Sequence, residues 1–82
     1  MKLQLLSPES SKTVTVSWLE INTKAGNFII QPGHGPMLLS LQPNQPLHYC
    51  LENGKQETIT PKSGIVEVTR DQVIVLLKNN DL

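Results

Sequence analysis

No window of ten or more residues in this chain carries a helical period; its apolar residues fall into short runs cut by turn residues. Six prolines and five glycines are spread over 82 residues. A proline inside a helix removes a backbone donor and clashes with the turn before it, so this spacing leaves no room for long helices. Strands of roughly 4–8 residues do fit between the breaks. The reading is therefore an all-β fold of one domain, residues 1–82, with no internal repeat, linker or low-complexity segment.

The runs can be followed along the chain. Leu3 to Leu6 stops at Ser7-Pro8, and Thr13 to Ile21 is the clearest strand, rich in Val and Thr. Val14, Val16 and Trp18 alternate with Thr13, Thr15 and Ser17, which predicts a Val/Val/Trp face inward, until Leu19 and Ile21 reverse the parity. Such a reversal marks a bulge or a change of sheet. Ala25-Gly26-Asn27 reads as a turn, Phe28 to Ile30 as a short buried strand, and Met37 to Leu41 as the next run. Leu47, Tyr49 and Leu51 then alternate with His48 and Cys50 before Asn53-Gly54, the strongest hairpin signal. A three-residue loop with Gly54 in the left-handed region would put Ile59 opposite Leu47 and keep both apolar residues on one face, so that register is expected over a two-residue turn. Ile65 to Val68 and Val73 to Leu77 form a last hairpin, and the polar tail from Lys78 is expected to fray. This makes roughly seven to nine short strands in a sandwich or small barrel.

Composition narrows the function. Lys plus Arg equals Asp plus Glu at seven each, so there is no basic footprint for nucleic acid. Charged residues are 17%, below the usual value of about 25%. A weakly charged, neutral chain suits a subunit whose surface is partly covered in an assembly. The single cysteine, Cys50, cannot form an internal disulfide, which points to a reducing compartment. The N-terminal run is too short and polar for a signal peptide, and no apolar run approaches the ~18 residues of a membrane span.

Candidate chemistry is thin. His48, Cys50 and Glu52 alternate along one strand, so all three can face one side; imidazole and thiolate bind zinc, but structural zinc needs about four ligands and no second cluster exists. Their plainer reading is the solvent side of a strand. Cys50 with His34 or His48 lacks any motif that activates a thiol, and no serine sits in a nucleophile elbow. Gly33-His34-Gly35 is followed by Pro36 and a strand-like run, not by the helix a phosphate cradle needs. We therefore expect no catalytic, cofactor or metal residues. What stands out is Gln31-Pro32-Gly33-His34-Gly35-Pro36-Met37, a rigid, sharply shaped loop that reads as structural and as a docking edge.

At these residues the chain resembles a known family. Phe28-Ile29-Ile30-Gln31-Pro32-Gly33-His34-Gly35-Pro36-Met37-Leu38-Leu39 is similar to the Gly-Ile-Leu-Pro-Gly-His-Ala-Pro-Leu-Leu segment of the epsilon subunit of F-type ATP synthases. Leu3 to Glu9, Gly26-Asn27-Phe28, Ser63 to Val68 and Val73 to Leu76 resemble further family segments in the right order, so the likeness runs from residue 3 to 77. The resemblance implies a flattened β-sandwich of about 8–10 short, mostly antiparallel strands. It implies a non-catalytic rotor subunit at the foot of the central stalk, binding a gamma-like stalk subunit and the membrane rotor ring and coupling ion flow to ATP synthesis. The implied location is peripheral, on the cytoplasmic side of a bacterial inner membrane or the equivalent organelle membrane. Partner-binding residues expected from loop shape and resemblance are Asn27, Phe28, Gln31, Gly33, His34, Pro36 and Met37. The alternative is a divergent stand-alone sandwich with another protein partner.

The departures are specific. Ile29 and Ser63 stand where the family has glycine, Asn44-Gln45 replaces a Pro-Gly turn, and Asn27 replaces an acidic residue of the ring-facing loop. Asn44 can still adopt a left-handed conformation. The C-terminal helical hairpin that carries inhibition in the family has no counterpart before Leu82, so the likeness is to the N-terminal sandwich.

Overall fold

The computed structural model describes all residues 1–82 and contains eight strands and no helix. In chain order they are β1 (Lys2–Leu6), β2 (Ser11–Thr23), β3 (Gly26–Ile30), β4 (Met37–Ser40), β5 (Leu47–Leu51), β6 (Gln56–Ile59), β7 (Gly64–Val68) and β8 (Gln72–Leu77). Sheet A runs β4-β7-β8-β1-β2, and sheet B runs β3-β2-β5-β6. Every pairing is antiparallel except β1 with β8. The extents of 27 × 25 × 17 Å give the flattened sandwich that the family resemblance implied.

β2 belongs to both sheets. Its first half pairs with β1, and its second half pairs with β3 and β5. The changeover lies at Ser17-Trp18, where the register slips: Val16 faces Leu51, but Trp18 faces Cys50. The extra residue flips the parity, so Val16 points into the core, Leu19 and Ile21 do too, and Ser17 and Trp18 do not. The parity reversal in the sequence thus marks both a bulge and a change of sheet. Trp18, expected inward with Val16, is instead half-buried on the outer face of sheet B.

The core lies between the two sheets. Leu3 and Leu5 of β1, Val66 and Val68 of β7 and Val73 and Val75 of β8 meet Leu19, Ile21, Ile30, Leu47 and Tyr49 from sheet B. Burying each such aliphatic side chain contributes about 1.5–3 kcal/mol of transfer free energy. The sheets also join at one corner, where Leu41 bridges to Thr23 and the Gln42 amide donates to the Asn22 carbonyl at 2.8 Å.

Turn chemistry follows the residues. Leu47 pairs with Ile59 around the loop Glu52-Asn53-Gly54, with Gly54 at φ 90°, so the three-residue register holds. Asn44 takes φ 59°, the left-handed conformation its position allowed. The turn expected at Ala25-Gly26-Asn27 sits one residue earlier, at Lys24-Ala25, because Thr23 already pairs with Gly26. Thr23 fixes it: its Oγ1 donates to the Gly26 carbonyl and accepts from the Ala25 amide. Phe28–Ile30 is not wholly buried, since β3 lies at a sheet edge and Ile29 is 57% exposed. The tail is tied down where fraying was expected. Asn80 Oδ1 accepts the Glu9 amide at 2.9 Å, and Asp81 Oδ2 accepts the Lys62 amide at 3.1 Å.

Candidate docking loop and outer faces

The segment between β3 and β4 crosses from sheet B to sheet A. Gln31-Pro32-Gly33-His34 closes a tight turn, with the His34 amide donating to the Gln31 carbonyl at 3.2 Å. Proline supplies the fixed φ of the second position, and Gly33, at φ 85°, supplies the left-handed third one. The Gly33 amide donates to the Arg70 carbonyl at 3.1 Å, which ties the loop to the β7–β8 turn. His34 Nδ1 lies 3.1 Å from the Gly35 carbonyl, so its ring is held close to the backbone. Gln31, Pro32, Gly33, Gly35 and Pro36 are exposed, whereas His34 and Met37 are half-buried. The product is a stiff projection with few soft dihedrals, which loses little entropy when a partner covers it.

Beside it, Pro36, Met37 and Leu38 face Glu67, Val68 and Thr69 across a shallow groove of about 410 Å³. Leu38 is 72% exposed. Of the expected contact residues, Gln31, Gly33, His34, Pro36 and Met37 therefore lie on one continuous loop. Asn27 and Phe28 lie apart from it on β3. Phe28 packs against the core, and Asn27 is engaged within its own sheet: its Nδ2 donates to Asn22 Oδ1 at 3.0 Å and Glu20 Oε2 at 3.2 Å.

The sequence reading missed a second exposed apolar surface, on the outer face of sheet A. Ile65 pairs with Leu76, and Leu76 aligns with Leu6 on β1, forming a row across three strands. Ile65 is 46% and Leu76 49% exposed; Leu6 and the neighbouring Ile74 are half-buried. The signal was present in the run Val73-Ile74-Val75-Leu76-Leu77. A strand with one face in the core must turn alternate residues outward, so an unbroken apolar run predicts an apolar outer face as well.

The histidine–cysteine cluster does not assemble. His48 Nδ1 bonds Thr58 Oγ1 at 2.8 Å, and the Cys50 thiol is 3.5 Å from the Leu51 carbonyl. Glu52 is exposed in the β5–β6 loop. Cys50, expected on a solvent face, is only 8% exposed, beside its registered partner Trp18. No group of three or more His, Cys, Asp or Glu side chains lies close enough to hold a metal ion.

Comparison with known proteins agrees with this architecture. Residues 1–80 match the family model described as ATP synthase, Delta/Epsilon chain, beta-sandwich domain. The ATP synthase epsilon chain of Acinetobacter baumannii is 37% identical over 68 residues, which are 83% of this chain and 48% of that protein. The epsilon chain of Acinetobacter baylyi matches to the same extent. The chain thus spans about half the length of the curated relatives it matches. A chain in the cryo-EM structure of Euglena gracilis mitochondrial ATP synthase (OSCP/F1/c-ring) superposes with a TM-score of 0.84 at 23% identity, over 92% of this chain and 48% of that one. A chain in the Tetrahymena thermophila mitochondrial ATP synthase central stalk and c-ring gives 0.78 at 17% identity, over 96% and 63%. At such identities these superpositions establish the fold.

Proposed function

The chain belongs to the family of ATP synthase Delta/Epsilon chain β-sandwich domains, and on that premise we propose that it is a non-catalytic rotor component of a rotary F-type ATP synthase. It binds a gamma-type stalk subunit and the membrane rotor ring, and so helps turn ion flow into stalk rotation. No residue in this role makes or breaks a bond. The protein works on the periphery of the membrane, on the side where ATP is made: the cytoplasmic face in a bacterium.

The observation that carries the proposal, beside family membership, is the rigid loop Gln31–Pro36 beside the exposed Leu38, on a sheet whose outer face also exposes Ile65 and Leu76 toward its far end. A subunit that transmits torque needs a stiff contact and an apolar area that a permanent partner keeps from water. The neutral net charge fits a surface that stays covered. Gln31, Gly33, His34, Pro36 and Met37 are the contact residues we assign to the loop. Asn27 and Phe28, also expected as contacts, lie apart from them on β3.

The test is a titration of this chain with the gamma-type subunit of its own source. Stoichiometric binding that His34→Ala or Met37→Asp weakens at least ~10-fold, with circular dichroism unchanged, supports the stalk role. A second reading rests on Asn27, which lacks the charge of the family's acidic residue and is already bonded to Glu20 and Asn22. A well-folded chain that ignores the gamma-type subunit would favour that reading, a sandwich with a different protein partner.

A further inference from the structure

Thr23 and Gly26 flank the two-residue turn, so Leu19, Ile21 and Thr23 face their partners Ile30, Phe28 and Gly26 in the ladder. The Lys24 amide and the Asn22 carbonyl point the other way, to Ser40 and Gln42, which confirms that phase. The amides and carbonyls of Asn27 and Ile29 therefore project from the free edge of β3, where no strand meets them.

Edges of this kind are normally blunted by charge, proline, a bulge or a cover. β4 is blunted: Pro36 precedes it, and the Lys24 amide takes the Ser40 carbonyl at 3.4 Å, which leaves Leu38 as its one open residue. β6 is short and carries Glu57, with Lys55 just before its first residue. The first half of β2 carries Lys12, paired with Glu57 at 3.4 Å. β3, Gly-Asn-Phe-Ile-Ile, has no charge, proline or bulge, and it holds Ile29 57% exposed.

We infer that the β3 edge is a strand-addition site, where an extended segment of the gamma-type partner pairs with Asn27 and Ile29 and lengthens sheet B by one strand. The inference rests on the stalk reading above and gives that contact its chemistry. The open backbone groups specify a strand as the occupant, because only another backbone presents donors and acceptors at that repeat. Ile29 calls for an apolar neighbour on that strand. Asn27, already tied to Asn22 and Glu20, calls for a hydrogen-bonding one. β3 also runs directly into the docking loop at Gln31, so one partner can hold both.

Amide hydrogen exchange on the unmodified chain, free and bound to the gamma-type subunit of its own source, tests the inference. The expected result is slowing of about tenfold or more at the Asn27 and Ile29 amides on binding, with the Thr58 amide on the β6 edge unchanged. A second arm compares Ile29→Pro, which removes an outward amide that the β2–β3 ladder does not use, with Ile29→Val, which keeps it. Binding weakened about tenfold by proline and retained by valine supports strand addition. Tight binding with Asn27 and Ile29 exchanging as in the free chain overturns the inference and leaves the stalk role standing. No binding by the gamma-type subunit overturns both. If the proline variant does not fold, the exchange result on the unmodified chain decides.

Discussion

The two outer faces of this sandwich solve the problem of meeting water in opposite ways. On sheet B the outward positions include Trp18, Glu20, Asn22, Asn27, His48 and Thr58, most of which bond one another, and the exposed Ile29 opposite Glu20. Asn27 bridges Glu20 and Asn22, Asn22 Nδ2 donates to the Pro46 carbonyl, and His48 bonds Thr58. On sheet A the outward positions include the apolar Leu6, Leu38, Ile65, Ile74 and Leu76, set among the polar Lys2, Gln4, Ser40, Glu67 and Gln72. The face of sheet B is largely closed by these bonds, and what it leaves open is Ile29 and the β3 edge that carries it. The face of sheet A leaves apolar area that a partner would remove from water. Both faces sit on one core, so substitutions can separate folding from docking.

The largest effect is expected in that core, where neither face is touched. Leu5→Ala should cost about 2–5 kcal/mol, since Leu5 is fully buried and a cavity would remain. Urea denaturation reads it, and a loss well below 1 kcal/mol would mean that the sheets do not share a packed interior. Gly64→Ala comes next. An added Cβ would lie 2.8 Å from the Leu76 carbonyl and 3.1 Å from Leu41 Cδ1, so the β7–β8 pairing must shift. Overpacking of this kind costs about 1–3 kcal/mol, again by denaturation.

The contrast between faces is sharpest in a pair of surface variants. Leu76→Asp should weaken binding of the gamma-type subunit at least ~10-fold and change stability by less than about 1 kcal/mol. His48→Ala should leave binding unchanged and cost about 0.5–1.5 kcal/mol, through its lost bond to Thr58. The reverse ranking would exchange the roles of the two faces.

The smallest effect concerns Lys12, which lies near Glu57 and the Tyr49 ring. The Tyr49 side chain first, and then the Glu57 carboxylate, hold its pKa above the usual 10.5. A folded-state pKa above the unfolded one adds stability below the unfolded value, and that addition is lost as pH rises through the folded value. The contribution of Lys12 is therefore full at neutral pH and fades only above pH 10.5. The ammonium is largely exposed, so solvent screens it strongly. Lys12→Met should leave the thermal midpoint nearly unchanged at pH 7, and the small difference from the parent chain should vanish at strongly alkaline pH.

Much of the fold was legible because strand parity and turn chemistry are local. The reversal between Val16 and Leu19 showed where β2 changes sheets, and Gly54 set the β5–β6 register. What escaped was set by tertiary neighbours. Trp18 turned outward because the bulge came one residue before it could point in. The polar tail is ordered because Asn80 and Asp81 find backbone amides far away in sequence, which composition cannot reveal. The stiff Gln31–Pro36 loop was visible as Pro and Gly spacing. The Leu6–Leu76–Ile65 row was not, because its members come from three strands brought side by side only by the topology.

That topology also sets a clock. β1 is an interior strand of sheet A, yet one of its neighbours is β8, the eighth strand in chain order. The sheet cannot close until β8 is available, and a pairing between such distant segments bears a large loop-closure entropy before any contact rewards it. Folding should therefore take milliseconds to seconds, and a nascent chain halted before Gln72 should leave both edges of the gap between β7 and β1 unpaired. That delay keeps unfinished copies from offering the outer row of sheet A, which needs β8 in place before it exists.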